Sequence, residues 1–234
     1  MAKGKLFLIP TTLSDGTVDK LFSESWKDSI RHVQFFCVEN ARSARRFLSS
    51  LKIYASIEAL NFSVLDKDTP NESMTELLRP LQEGHDMGII SESGIPAVAD
   101  PGHLAVAFAH AHDFQVAVLP GPSSIMMALA ASGFNGQQFA FHGYLPIDEK
   151  DCAATIKSLE KESRAKNQTQ IFIETPFRNN RLLKALLKNL SPNARLCVAV
   201  DVTGGEERII SKPVSSWSVI EMPKLPAVFL FQSF

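Results

Sequence analysis

Met87-Gly88-Ile89-Ile90-Ser91-Glu92-Ser93-Gly94-Ile95-Pro96, continued after two residues by Ala99-Asp100-Pro101-Gly102, decides how the chain folds. The apolar run makes a buried strand and the Ser/Gly/Pro segment a tight turn. Alanines, leucine and phenylalanine then return at helical spacing. The pattern recurs downstream, where Val116-Ala117-Val118-Leu119 runs into Pro120-Gly121-Pro122-Ser123-Ser124 and the small-residue helix 125–132. Successive strand–loop–helix units predict a parallel sheet with Gly/Pro/Ser loops side by side at its carboxyl ends. Backbone amides and carbonyls there are not consumed by the ladder, and open α/β sheets bind ligands at that edge. Proline fixes φ, glycine permits close approach, and Ser123 or Ser124 can cap the helix. The same residue types also build ordinary turns.

Outward toward the amino terminus, Leu6-Phe7-Leu8-Ile9 is a further buried strand ended by Pro10-Thr11-Thr12. Residues 33–38 form another, ending at Glu39-Asn40. The helix Ala41–Leu51 follows, carrying Arg42, Arg45 and Arg46 at spacings that share a face. Those arginines suit phosphate or carboxylate recognition, or simply a solvated helix face. Residues 61–65 read as a strand. Ser73-Met74-Thr75-Glu76 has capping-box spacing, which predicts a helix from there to Gly84 despite Pro80.

Toward the carboxyl terminus, 139–144 is an aromatic strand and 145–148 a link, after which composition shifts. A charged helix at 151–166 leads to the strand Ile171-Phe172-Ile173, which ends at Glu174-Thr175-Pro176-Phe177-Arg178. Leu182, Leu183, Leu186, Leu187 and Leu190 form one core-facing helical stripe stopped by Ser191-Pro192. The strand 196–200 ends at Asp201, and Thr203-Gly204-Gly205-Glu206-Glu207 makes a hairpin-like turn into Arg208-Ile209-Ile210. Pro213 is placed to open a last helix, and 226–231 closes the series as a strand. Two α/β halves are expected, 1–145 and 146–234, with a mostly parallel sheet in the first and a mixed sheet in the second.

At 234 residues, 45% hydrophobic and 21% charged, the chain has the composition of a folded globular protein rather than a disordered one. Its net charge of -1 offers no global basic field, so a nucleic-acid partner would need a local patch. Cys37, Cys152 and Cys197 are far apart and carry no zinc spacing; among the histidines only His103, His110 and His112 share a helix at suggestive spacing, and they lack a carboxylate partner, so no metal is expected. With no apolar run of membrane-spanning length and no signal-peptide core after Met1, a cytoplasmic protein is expected.

GxxxxGK[ST], GxGxxG and GxSxG are all absent. Glu92, Asp100, Glu174 and Asp201 each follow an apolar strand, either lining one cleft or bonding their own loop amides. A cleft of backbone amides with scattered acids suits a cationic or zwitterionic small molecule better than a polyphosphate.

Taken in order, Leu8-Ile9-Pro10-Thr11, Glu39-Asn40-Ala41-Arg42, 91–102, 119–133, Gly143-Tyr144-Leu145-Pro146 and Glu174-Thr175-Pro176-Phe177-Arg178 resemble the tetrapyrrole methylase superfamily. They are most similar to its ribosomal RNA small subunit methyltransferase I branch, and the resemblance spans nearly the whole chain. It implies two α/β domains, S-adenosylmethionine (SAM) held in the cleft between them, and a homodimer. Matched motif by motif, the cofactor is expected at Pro10, Ser91, Glu92, Ser93, Gly94, Ile95, Pro96, Asp100, Ser123 and Ser124. In the second half it is expected at Ile173, Glu174, Thr175, Val200, Asp201, Val202, Pro226 and Ala227.

The ribosomal branch methylates the ribose 2′-hydroxyl of a cytidine, so small-subunit ribosomal RNA is the implied partner. Arg42, Arg45 and Arg178 are its expected contacts, and Asp100, then Glu92, the expected proton acceptors. The chain departs from that branch in reading Glu39-Asn40-Ala41-Arg42 for Glu-Asp-Thr-Arg, and it ends without the carboxyl-terminal extension of longer members. Two alternatives stand beside the RNA reading: methyl transfer to a tetrapyrrole or other small molecule, and a non-catalytic SAM-binding or ribosome-assembly protein.

Overall fold

The computed structural model describes residues 3–218 and 221–234, and packing divides the chain into two units, Met1–Ser123 and Ser124–Phe234. In the first unit β1 (Lys5–Ile9) is followed by α1 (Val18–Leu21), α2 (Glu24–Asp28), β2 (Phe35–Val38) and α3 (Ala41–Leu51). β3 (Asn61–Val64), α4 (Met74–Leu77), α5 (Arg79–Gln82), β4 (Met87–Ile90), α6 (Gly102–Ala111) and β5 (Gln115–Val118) complete it. These strands form one sheet in the order β3-β2-β4-β1-β5, with every pair parallel.

Side chains alternate across a strand, so each strand feeds two cores. Phe7, Ile9, Phe36, Val38 and Ile90 pack on one face with Phe22, Trp26, Phe47 and Leu48. Leu6, Leu8, Met87 and Ile89 pack on the other with Met74, Leu81, Ala105 and Ala109. With helices on both faces, neither face of the inner strands needs polar residues, which is why β1 and β4 read as unbroken apolar runs. From β1 the chain passes over β4 to β2, whereas from β4 it passes over β1 to β5. Adjacent strands are thus left in opposite directions, and the crevice at their carboxyl ends is the ligand position of such sheets.

Helix α3 starts where the Asn40 side chain accepts the N–H groups of Arg42 (2.9 Å) and Ser43 (3.3 Å). It buries Ala44, Phe47, Leu48 and Leu51 and stops at Lys52, which is left-handed at φ 57. The single helix expected across 73–84 is instead a 3-10 turn, α4 and α5. Ser73 is already helical, at φ -72 and ψ -14, and makes no side-chain cap bond. Pro80 sits in the first turn of α5, where a missing N–H costs least.

The second unit runs α7 (Ser124–Ser132), β6 (Phe139–Phe141), α8 (Glu149–Lys166), β7 (Thr169–Glu174), α9 (Asn179–Asn189), β8 (Arg195–Val200), β9 (Arg208–Pro213) and β10 (Ala227–Gln232). Its sheet order is β6-β7-β10-β8-β9; β6 and β7 are parallel, and the other pairs antiparallel. The mixed sheet is as expected. α7 and β6, assigned on sequence to the half ending at 145, belong by packing to this unit, with α7 against β8, β9 and β10.

Asp148 caps α8 by accepting the N–H groups of Lys150 and Asp151, and Asn167 ends it at φ 49. One core joins Ile156 of α8 and Leu182, Leu183 and Leu186 of α9 to Phe172, Val198, Phe229 and Phe231 of the sheet.

β6 stops at Phe141, short of the expected 144, because Gly143 turns the backbone to φ 65. The last helix expected from Pro213 is one 3-10 turn, Val214–Ser216. The Val214 and Ser215 N–H groups are taken by the carbonyls of Ala194 (2.8 Å) and Pro192 (3.0 Å), which anchors the turn to the loop before β8.

Candidate active site

Three loops meet at the carboxyl ends of β1, β4 and β5. Thr11, just after β1, donates its N–H to the Gly94 carbonyl at 3.0 Å, and Ser91 Oγ donates to the same oxygen at 3.1 Å. Gly94 is left-handed at φ +75, and a Cβ there would lie 2.9 Å from the Pro122 carbonyl oxygen. A Cβ on Gly121 would lie 2.2 Å from Pro10 Cγ. The Trp26 indole N–H donates to the Pro120 carbonyl at 2.9 Å, which fixes the loop after β5 from the core side. Gly and Pro are required here because backbones touch one another with no room for side chains.

Loop 91–101 is built around Asp100. Its Oδ1 accepts the N–H groups of Ala97 (2.9 Å) and Gly102 (2.7 Å), while Ala97 and Ala99 hold left-handed conformations at φ 66 and 65. Non-glycine residues reach that region at a cost that the surrounding hydrogen bonds must offset. Asp100 Oδ2 is buried and has no hydrogen-bond partner, and the same holds for the hydroxyl of Thr11, which is 5% exposed. Burial raises the Asp100 carboxyl above its ordinary range, against the N–H groups of Gly102, Ala97 and Val98 that stabilise its charge.

Two further acids join from β2 and β4. Glu39 Oε2 accepts the Glu92 N–H at 3.2 Å, and Ser43 Oγ donates to Glu92 Oε1 at 3.1 Å. Burial pushes the Glu39 carboxyl upward, the charges of Asp100 and Glu92 push it further, and the hydrogen bond from Glu92 opposes them. Asn40 serves as the α3 cap. Arg45 lies over the Phe62 ring at 4.9 Å, and Arg46 reaches Asp15 at 3.8 Å on the surface. Three carboxylates therefore gather at the ends of β2 and β4, the electrostatics expected of a site for a cation.

In the second unit, β7 and β8 both run antiparallel to β10, so their carboxyl ends flank its beginning. Ala227 is paired with Glu174 on one side and Val200 on the other. The three stretches expected to touch a cofactor, 173–175, 200–202 and 226–227, thus share one edge. Glu174 is buried and its Oε1 accepts the Thr175 N–H (2.7 Å) and Arg178 Nε (2.8 Å), so this acid is engaged in an ion pair. Asp201 is left-handed at φ 48, donates its N–H to the Pro226 carbonyl and accepts the Glu206 N–H at 2.9 Å. Among the described residues no cluster of three or more His, Cys, Asp or Glu suits a metal ion, and no helix is long and apolar enough to cross a membrane.

Sequence reasoning marked Glu92, Asp100 and the Ser/Gly loops, but it did not assign roles to Thr11, Glu39 or Ser43. Glu39 carried the same signal as Glu92, an acid directly after an apolar strand. The burial of the Thr11 hydroxyl depends on loops distant in sequence and leaves no local trace.

The family described as Tetrapyrrole (Corrin/Porphyrin) Methylases matches residues 28–216. Ribosomal RNA small subunit methyltransferase I of Thermotoga maritima is 30% identical over 185 residues, covering 79% of this chain and 78% of that protein. The protein of the same name from Buchnera aphidicola is 27% identical over 215 residues, covering 91% and 71%. Among solved structures, uroporphyrin-III C-methyl transferase from Thermus thermophilus, complexed with S-adenyl homocysteine, has the same fold: TM-score 0.56 at 16% identity over 98% of this chain and 97% of that one.

Proposed function

The chain belongs to the family of tetrapyrrole (corrin/porphyrin) methylases, and from that premise we propose that it is a SAM-dependent methyltransferase whose acceptor is the ribose 2′-hydroxyl of a cytidine in small-subunit ribosomal RNA. The similarity to ribosomal RNA small subunit methyltransferase I over most of both chains carries this reading. The residues at the carboxyl ends of β1, β2 and β4 fit the donor. They offer the partnerless buried oxygens of Thr11 and Asp100 and the carboxylates of Glu39 and Glu92. When bound, SAM supplies a methyl group on a positively charged sulfur.

In this reading Pro10, 91–96, Asp100 and Ser123 hold the donor at the strand ends of the first unit. The acids favour a cationic group, and the close-packed loops fix its position, which matters because alignment accounts for much of the rate in a displacement of this kind. Asp100 spends Oδ1 on its own loop and keeps Oδ2 to accept the proton that the ribose hydroxyl loses as its oxygen gains the methyl group. A positioned base of this kind contributes on the order of 10²–10⁴ in rate. Glu92 is the second candidate for that role, and Arg42, Arg45 and Arg178 are the RNA contacts. We take the active form to be a cytoplasmic homodimer.

Tritium transfer from methyl-labelled SAM to undermethylated small ribosomal subunits tests the reading, with a tetrapyrrole precursor run in parallel. Label in one cytidine ribose is the expected result. Label in the tetrapyrrole, or SAM binding with no label in RNA, overturns it.

A further inference from the structure

The second unit carries exposed aromatic rings set among cations, and the rings have no role among those assigned above. Phe177 is 82% exposed and Tyr144 57% exposed, values at which large rings on a folded unit invite explanation. Both stand at the carboxyl-end edge of the sheet, Tyr144 after β6 and Phe177 after β7. The Arg178 guanidinium lies 5.9 Å from the centre of the Tyr144 ring, and Lys224 Nζ lies 5.8 Å from the centre of the Phe177 ring. Glu174 holds Arg178 by an ion pair and is itself buried, so the guanidinium is fixed beside the Tyr144 ring rather than waving in solvent.

A groove of about 270 Å³ adjoins this group between Leu145, Pro146 and helix α9. Arg181, Lys184 and Lys188 line it, three cations at spacings of three and four that put them on one side of α9. Arg181 donates to the Ile147 carbonyl and so holds the loop that carries Tyr144. The acids near these cations are Glu149, which reaches Lys188 at 3.5 Å on the surface, and Glu174, already committed to Arg178. Positive charge is therefore in excess along the groove of a chain whose net charge is -1.

We propose that the Tyr144–Phe177 platform and the α9 cation row together bind an unpaired RNA strand, with bases stacked on the two rings and phosphates running along Arg181, Lys184 and Lys188. This deepens the ribosomal-RNA reading and rests on it. Every base offers a π-face, so exposed rings capture single strands without regard to sequence, and a row of cations beside them follows the backbone. A duplex presents no free base faces to such rings, which is why the strand is unpaired. The platform anchors the RNA substrate on the second unit.

The test uses the full chain with Phe177→Ala, Tyr144→Ala and the pair Lys184→Gln/Lys188→Gln. Binding of a fluorescein-labelled unstructured 12-nucleotide RNA is read by anisotropy, alongside methyl-transfer kinetics on small ribosomal subunits and SAM calorimetry. Each ring substitution is expected to weaken RNA binding about tenfold and to raise KM for the subunit, with SAM affinity unchanged. The lysine pair is expected to reduce the slope of log K against log salt by about 1.4, two phosphates at roughly 0.7 each.

Variants that keep wild-type RNA affinity and KM would overturn the platform while leaving the methyltransferase reading intact. The platform would also fall if the ring substitutions turned a dimer into a monomer in sedimentation without changing RNA affinity, since the rings would then face a second copy. Failure of the ribosomal reading shows separately, as a wild-type protein that labels no RNA.

Discussion

Glu39 Oε2 accepts the backbone N–H of Glu92 at 3.2 Å, so the end of β2 holds the first residues of the loop that follows β4. The bond brings two carboxylates of like charge close together, and Asp100 adds a third. Burial, with the charges of Asp100 and Glu92 added to it, raises the Glu39 carboxyl on folding above its ordinary value of 4.5. A raised carboxyl binds its proton more tightly in the folded state, so stability falls as pH rises from the unfolded value through the folded one. Glu39→Gln keeps an acceptor and removes the charge. The variant is expected to melt above the wild type at pH 7, with the gap closing as pH drops below about 4. Thermal melts across that range check the sign.

In the proposed mechanism Asp100 separates loop building, at Oδ1, from proton transfer, at Oδ2. Asp100→Asn retains Oδ1 as an acceptor for Ala97 and Gly102. It is expected to keep SAM affinity within a few-fold and to lose turnover by about 10²-fold or more. Asp100→Ala removes the brace, and with a charged acceptor lost the expected cost is about 1.5–3 kcal/mol together with weakened SAM binding. Calorimetry and single-turnover assays on the two variants distinguish the roles; an Asn variant with full turnover excludes Asp100 as the base.

Gly121→Ala places a methyl group 2.2 Å from the Pro10 ring, which has no rotamer with which to move aside. The loops after β1 and β5 must part. A destabilisation of about 1–3 kcal/mol is expected by urea denaturation, with SAM affinity reduced in the same variant.

All three cysteines are buried, and burial pushes the Cys37 thiol up to about 12 and Cys197 up to about 11. The thiolate is the reactive form, so neither is expected to react with a disulfide reagent in the native protein at pH 8. Three thiols per chain are expected to titrate in urea. Rapid native labelling of Cys37 or Cys197 would mean that its strand opens.

Much of this architecture is written locally. β1, β2 and β4 are apolar runs that end in loop residues, and Asp148, Asn40 and the leucine stripe of α9 mark helices by chemistry confined to a turn or two. What escaped depends on partners far away in the chain. The Val214 and Ser215 amides, which pin the last 3-10 turn, go to Ala194 and Pro192, some twenty residues earlier. Ser73 has the spacing of a cap, but the 3-10 turn before it has already set its backbone helical. Within the site, the strand-end acids were legible as residue types, whereas their division of labour was not. Glu174 pairs with Arg178, Asp100 braces its loop, and Ala97 and Ala99 adopt left-handed backbones that nothing in an alanine announces.

The position of β10 governs the order in which the second unit comes into being. It lies between β7 and β8, yet in sequence it follows both, and it follows β9 as well. During synthesis β7 and β8 emerge with no strand to join them, each showing an open edge of unpaired amides and carbonyls. The first unit has all of its strands by residue 118 and is free to fold on the ribosome as a unit. The second waits for residues 227–232, and until they are made the facing edges of β7 and β8 stay open to other strands.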